Sequence, residues 1–185
     1  MLASGTGSLF QALLDAQDSS FTVVGLVTDQ PEAQAIGRAA IAGINIAVLQ
    51  LSDFETRDAW NRALSDAIDY FTPDLVVSAG FMRVVNADVV SRFAGRLINT
   101  HPALLPAFPG AHAVRDALAA GVSTTGSTVH FIDAGVDTGE VIAQRSVEIL
   151  NSDDEDTLHE RIKVVERELL VQVVKDFAQK KAVAQ

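Results

Sequence analysis

In Leu97-Ile98-Asn99-Thr100-His101-Pro102 an apolar run gives way to an amide, an imidazole and a proline. Alternation along a strand places Asn99 and His101 on one side, and the carboxyl end of a strand is where open α/β sheets bind ligands. An amide donor and an imidazole on one spot are a means of stabilising an oxyanion. Taken alone, the stretch reads more readily as a strand-end Asn bonding loop backbone beside a satisfied His, because motifs this short recur by chance. A second stretch, Ser4-Gly5-Thr6-Gly7-Ser8, runs into Leu9, Phe10, Ala12, Leu13 and Leu14 at helical spacing. Glycines let backbone amides approach closely, and a helix start offers unpaired N–H groups, so this loop suits a phosphate. It lacks the third glycine of the dinucleotide fingerprint and the Gly-Lys-Ser/Thr of a P-loop, and by itself it equally describes a tight turn with no ligand. A third, Asp133-Ala134-Gly135-Val136-Asp137-Thr138-Gly139-Glu140, spaces two acids with glycines. Its spacing departs from a calcium loop, and alone it reads as a turn.

The elements that must position these groups are legible in the apolar pattern. Short β-branched runs alternate with helical patterns, the mark of a mainly parallel sheet covered by helices. Strands are expected at 22–27, 75–79, 97–99, 127–132 and 141–147. Trp60, Leu64, Ile68 and Phe71 form one stripe on a helix ending before Pro73. Pro31 and Glu32 open another helix, with Ile36, Ala39, Ala40 and Gly43 as a small-residue face. For the last helix, Ser152 is the expected cap and Glu155 completes a capping box, with Leu158, Ile162, Val165, Leu169, Val173 and Phe177 as the buried stripe. Residues 100–112, with prolines at 102, 106 and 109, resist both readings and form a rigid loop.

Composition excludes several classes. With 14 Lys and Arg against 24 Asp and Glu the net charge is -10, which repels phosphate backbones, and no basic run offsets it. The absence of cysteine removes disulfides, thiolate metal sites and a Cys nucleophile. The four histidines show no metal-ligand spacing: His130 reads as a satisfied core residue or as one that supports a neighbouring site residue, and His159 as a solvated one. No Gly-x-Ser-x-Gly elbow is present. Apolar runs are too short to span a bilayer, and the first residues lack the regions of a signal peptide. A soluble, untargeted α/β protein is expected.

Four segments occur in the order and spacing of one family: 4–8, Ser78-Ala79-Gly80-Phe81-Met82-Arg83, 99–110 and 133–139. From Leu2 to about Phe177 the sequence closely resembles the phosphoribosylglycinamide formyltransferases, folate-dependent transformylases of purine synthesis within the formyltransferase superfamily. The stretch from His101 through Leu104-Leu105-Pro106 to Phe108-Pro109-Gly110 is highly specific to that superfamily, and its ending favours the glycinamide ribonucleotide branch. The resemblance implies one formyltransferase domain over residues 1–185, with a Rossmann-like, mainly parallel sheet flanked by helices on both faces. It implies a catalytic trio of Asn99, His101 and Asp137, and a substrate-phosphate loop of Gly5, Thr6, Gly7, Ser8 and Leu9. A folate pocket is implied from Arg57, Phe81, Met82, Arg83, Val85 and Asp133, with Glu166 on the substrate amine side. The implied partners are glycinamide ribonucleotide and the co-substrate 10-formyltetrahydrofolate, with no metal, nucleic acid or membrane. The implied location is the cytoplasm, and a homodimer is compatible with it.

Two departures follow. Leu9 stands where the commoner pattern has Asn, so phosphate is expected on backbone amides and the Ser8 hydroxyl. Family members also carry a full strand before the glycine loop and strands after the last helix, so the sequence is expected to be truncated at both ends. In formyl transfer, Asn99 and a protonated His101 donate to the developing oxyanion, while Asp137 holds the imidazolium and accepts the amine proton, directly or through water. The alternatives are a formyltetrahydrofolate hydrolase, a methionyl-tRNA formyltransferase, disfavoured by size and charge, and a silent nucleotide-binding module that would not need the trio.

Overall fold

A computed structural model describes residues 1–183; the last two residues of the expected 1–185 domain lie outside the described residues. The chain divides into two compact units, Met1–Ile98 and Asn99–Gln185. Both are α/β. No helix among the described residues is long and apolar enough to cross a membrane.

In the first unit, α1 (Ser8–Asp15), α2 (Gln34–Ile41), α3 (Arg57–Tyr70) and α4 (Ala87–Arg92) alternate with β1 (Leu26–Thr28), β2 (Ile46–Val48) and β3 (Val76–Ser78). Strand β1 pairs in parallel with β2, Leu26 opposite Ile46. Leu2 makes parallel bridges to Val27 and Ser78, and so occupies a strand position between β1 and β3. All three residues of β1 and of β3 are buried, as strands covered on both faces require. Strand β1 is shorter than the 22–27 expected, and β2 was not anticipated, because Ile46-Ala47-Val48 is too brief to show a period.

Helix α3 begins where Thr56 Oγ1 accepts the Ala59 N–H at 3.1 Å, buries Trp60, Leu64 and Ile68, and closes at Phe71. This is the expected stripe. Helix α2 departs from expectation: it starts at Gln34, and its buried face is Ala35 and Ala39, while Ala40 is exposed and Gly43 lies beyond the end at φ 68°. Residues 35 and 39 share a face at one turn's spacing, whereas 40 does not.

In the second unit, β4 (Leu97–His101) enters from the first unit and neighbours β5 (Thr124–Phe131), which pairs with β6 (Val141–Glu148); α5 (Ala113–Ala119) and α6 (Glu155–Val183) complete it. The β5–β6 pair is antiparallel, with a register shift between Val129 and His130. Leu158 and Ile162 of α6 pack with Val114 and Val147. The cap of α6 is Asp154 rather than Ser152. Asp154 Oδ1 accepts the Thr157 N–H at 2.8 Å, and the Asp154 N–H donates to Thr157 Oγ1 at 2.9 Å. The helix starts late because Asp153 closes the preceding turn, accepting the Leu150 N–H at 2.7 Å.

Candidate active site

Asn99 and His101 lie at the carboxyl end of β4, which runs two residues beyond the expected 97–99 and takes Thr100 and His101 from the expected loop. Asn99 is half-buried and His101 is 4% exposed. His101 Nε2 lies 2.8 Å from the Phe108 carbonyl. A carbonyl only accepts, so that nitrogen carries the hydrogen. His101 Nδ1 lies 3.3 Å from Asp137 Oδ2. Phe108 holds a φ of 54°, a costly conformation for a bulky residue and of the kind that gathers at functional sites. The loop that carries it is fastened to β5: Thr128 Oγ1 donates to the Ala103 carbonyl at 2.6 Å and accepts the Leu105 N–H at 3.1 Å.

Asp137 does not behave as a turn residue. Its φ is 55°, and its carboxylate faces His130 Nε2 at 3.6 Å as well as His101, and accepts the Gly110 N–H at 2.8 Å. The contact with His130, then the Gly110 N–H and the two imidazoles, hold this carboxyl below the usual range against its burial. The turn itself is closed by Asp133, whose Oδ1 accepts the Gly135 N–H at 3.0 Å and the Thr138 hydroxyl at 2.7 Å. Gly139 is required where the loop returns to β5, since a Cβ there would sit 1.8 Å from the Phe131 carbonyl oxygen.

His130 is the residue the sequence undervalued. Its Nδ1 lies 2.8 Å from the Phe131 carbonyl and its Nε2 3.3 Å from Asn99 Nδ2, so it joins Asn99 to Asp137. The register shift beside it is a feature that re-aims side chains. Among the described residues, no group of three or more His, Asp or Glu is arranged to hold a metal ion.

Glu166 stands apart from the trio. It is 5% exposed and hydrogen-bonded with Thr100, which leaves β4 on the face opposite Asn99 and His101. Burial pushes its carboxyl above the usual range despite Thr100, Lys163 and Arg167. A carboxyl raised in the fold contributes stability below its unfolded value and loses it as pH rises through the folded value. Glu166→Gln is therefore expected to raise the melting temperature near pH 8 by about 2–4 °C per kcal/mol relieved, with the gain shrinking toward about pH 4. Melting curves at the two pH values check this; a lower melting temperature at the higher pH would contradict it.

In the first unit, Gly7 is the N-cap of α1 at φ 69° and brings no side-chain acceptor, leaving the first-turn N–H groups to an outside partner. Leu9 is 8% exposed, so its side chain packs inward and only its amide can serve a ligand. Arg38 Nε holds the Thr6 carbonyl at 2.8 Å, and Ala35 N–H the Gly5 carbonyl at 3.2 Å. A Cβ on Gly7 would lie 2.8 Å from Ala35 Cβ. Gly7→Ala is expected to cost about 1–3 kcal/mol in stability from left-handed strain and overpacking, and to raise KM for a phosphorylated substrate. A variant that melts and binds like the parent would show that α2 does not shape this loop.

Around 81–85, Phe81 stacks on Trp60 with centroids 6.2 Å apart, and the Arg57 guanidinium lies 4.3 Å over that indole. Arg57 also donates to the Val84 carbonyl. Met82 is 75% exposed, Val85 is half-buried, and Arg83 pairs with Asp29 at 2.6 Å. Asp29 follows β1 at its carboxyl end, which is the signal that could have singled it out.

A family model described as Formyl transferase matches residues 1–174. The chain is 54% identical over 180 residues to phosphoribosylglycinamide formyltransferase of Mycobacterium tuberculosis (strain ATCC 25618 / H37Rv), covering 96% of this chain and 83% of that protein. It is 40% identical over 181 residues to the Escherichia coli (strain K12) protein of the same name, covering 96% and 85%. Among solved structures, glycinamide ribonucleotide transformylase 1 from Symbiobacterium toebii superposes with a TM-score of 0.93 at 36% identity, covering 97% of this chain and 86% of that one. A family match over residues 1–174, with relatives at 54% and 40% identity along most of the chain, shows that the chain belongs to the formyl transferase family.

Proposed function

We propose that the chain transfers the formyl group of 10-formyltetrahydrofolate to the amine of glycinamide ribonucleotide, in the cytoplasm, as a step of purine (IMP) biosynthesis. In this reading the whole chain serves as one formyltransferase domain. The observation that carries it is the Asp137 carboxylate, turned off its own loop onto His101 and His130 at 3.3 and 3.6 Å, in a family whose members named above are glycinamide ribonucleotide transformylases.

The folate supplies an activated formyl carbon. Asn99 donates through its amide to the oxygen of that carbon as charge develops. His101 donates as well, exchanging the Phe108 carbonyl for the oxyanion at Nε2 while Asp137 holds Nδ1. Asp137 takes the proton released by the attacking amine, directly or through a water; its lowered pKa keeps it ionised through the neutral range. The nitrogen–carbon bond to the substrate forms as the bond to the folate N10 breaks, and N10 leaves with the proton that Asp137 took from the amine, which restores the carboxylate. Exposed Met82 and Val84 beside Arg57 suit an apolar ring with polar edges. Backbone N–H groups at the start of α1 and the Ser8 hydroxyl suit the phosphate.

The test is an assay of the purified chain with both substrates, with and without a chelator. Formylation of the ribonucleotide, unchanged by the chelator, is expected. Folate hydrolysis at the same rate without the amine substrate would move the chain to the hydrolase reading, and binding without turnover would make it a silent nucleotide-binding module.

A further inference from the structure

Three segments remote in sequence meet at one buried carboxylate that the mechanism does not use. Ser4, the residue before the glycine loop, donates its hydroxyl to Asp29 and accepts the Met82 N–H at 2.9 Å. The Ser4 N–H donates to the Gly80 carbonyl at 3.0 Å. From the 81–83 segment, Arg83 Nε donates to Asp29 at 2.6 Å, and Gln30 Nε2 adds a bond of 3.1 Å. The Asp29 side chain is wholly buried, while Arg83 is 30% exposed. Burial alone would push this carboxyl up, but the Ser4 hydroxyl and the Arg83 guanidinium outweigh it and hold it below the usual range.

We propose that Asp29 is a positioning residue that fixes the glycine loop and the 81–83 segment to each other, so that ribonucleotide phosphate and reduced folate both bind through its geometry. This rests on the formyltransferase reading above. A serine hydroxyl has a single hydrogen, and Asp29 takes it, so the Ser4 lone pairs face the Met82 amide. Without the carboxylate the hydroxyl turns to another acceptor, the Met82 N–H loses its partner, and the Arg83 guanidinium is released toward solvent. Loss on one side is therefore felt on the other, and hydrogen bonds to a charged group are the strong ones.

Steady-state kinetics with both substrates on Asp29→Ala, Asp29→Asn and Ser4→Ala test this. Asp29→Ala is expected to raise both KM values about tenfold while kcat changes by less than about threefold. Asp29→Asn keeps an acceptor for Ser4 but drops the charge facing Arg83, so the ribonucleotide KM should return toward the parent while the folate KM stays raised. Ser4→Ala should raise the folate KM although Ser4 belongs to the loop side. A merely structural Asp29 would lower the melting temperature and the active fraction without moving either KM. KM values within about twofold of the parent, or a rise in only one of them in Asp29→Ala, would overturn the proposal. If Asp29→Ala does not fold, an unaltered folate KM in the other two variants overturns it. A parent that forms no formylated product would instead defeat the formyltransferase reading, so the two failures are distinct.

Discussion

Asp137→Asn is expected to lower kcat by about 10²–10⁴ while each KM stays within a few-fold of the parent. The structure makes this substitution unusually clean. Asn tolerates the left-handed conformation that residue 137 adopts at φ 55°. Its amide oxygen can still accept the Gly110 N–H, now 2.8 Å from Asp137 Oδ2, and its NH₂ can donate to His130 Nε2. Shape and turn survive, and the change removes charge and basicity alone. Those are the properties the proposed mechanism needs, because a neutral amide neither holds an imidazolium nor accepts the amine proton. The effect falls in the transition state, where the proton moves, rather than in substrate binding. Single-turnover rates with matched circular dichroism check it. Rates within a few-fold of the parent would remove Asp137 from the mechanism and return residues 133–140 to a plain turn.

That segment shows where sequence reading reached its limit. Asp133 and Asp137 are two acids in one glycine-spaced loop, and nothing in their local order says which closes the turn. The structure divides them: Asp133 bonds Gly135 and Thr138 within the loop, while Asp137 reaches His101 and His130 on other strands. Only long-range pairing decides this, and pairing has no local signature. Asn99 and His101 could be placed on one side because a strand's period is fixed at two, although the strand end was set at Asn99 and β4 runs on to His101. The α3 stripe was legible for the same kind of reason, since Trp60, Leu64 and Ile68 repeat at helical spacing. The α6 cap was missed by two residues because Ser152, Asp153 and Asp154 are all good caps, and the choice depends on Asp153 being drawn to Leu150 and Arg161. His130 was undervalued for the opposite reason. It is a buried, satisfied residue, and its importance lies in which two groups satisfy it.

Asn99→Ala is expected to cost about 10²–10³ in kcat, the scale for one preorganised oxyanion donor. The amide nitrogen carries two hydrogens, and His130 Nε2, 3.3 Å away, takes one of them. In its neutral form His130 accepts this bond, because its own Nδ1 donates to the Phe131 carbonyl at 2.8 Å and leaves the lone pair on Nε2; with Nε2 also protonated it donates to Asp137 instead. One N–H of Asn99 is thus spent on orientation, and in the proposed mechanism the other meets charge that develops only in the transition state. His130→Phe should leave the Asn99 amide in place but unoriented. A smaller loss, about 10-fold, is expected there, because the donor survives and must be ordered at each turnover. The double variant should lose little more than Asn99→Ala alone, since an orienting group has no effect once the group it orients is gone. Multiplying losses in the double variant would mean that His130 acts on the reaction independently of Asn99, through its 3.6 Å contact with Asp137.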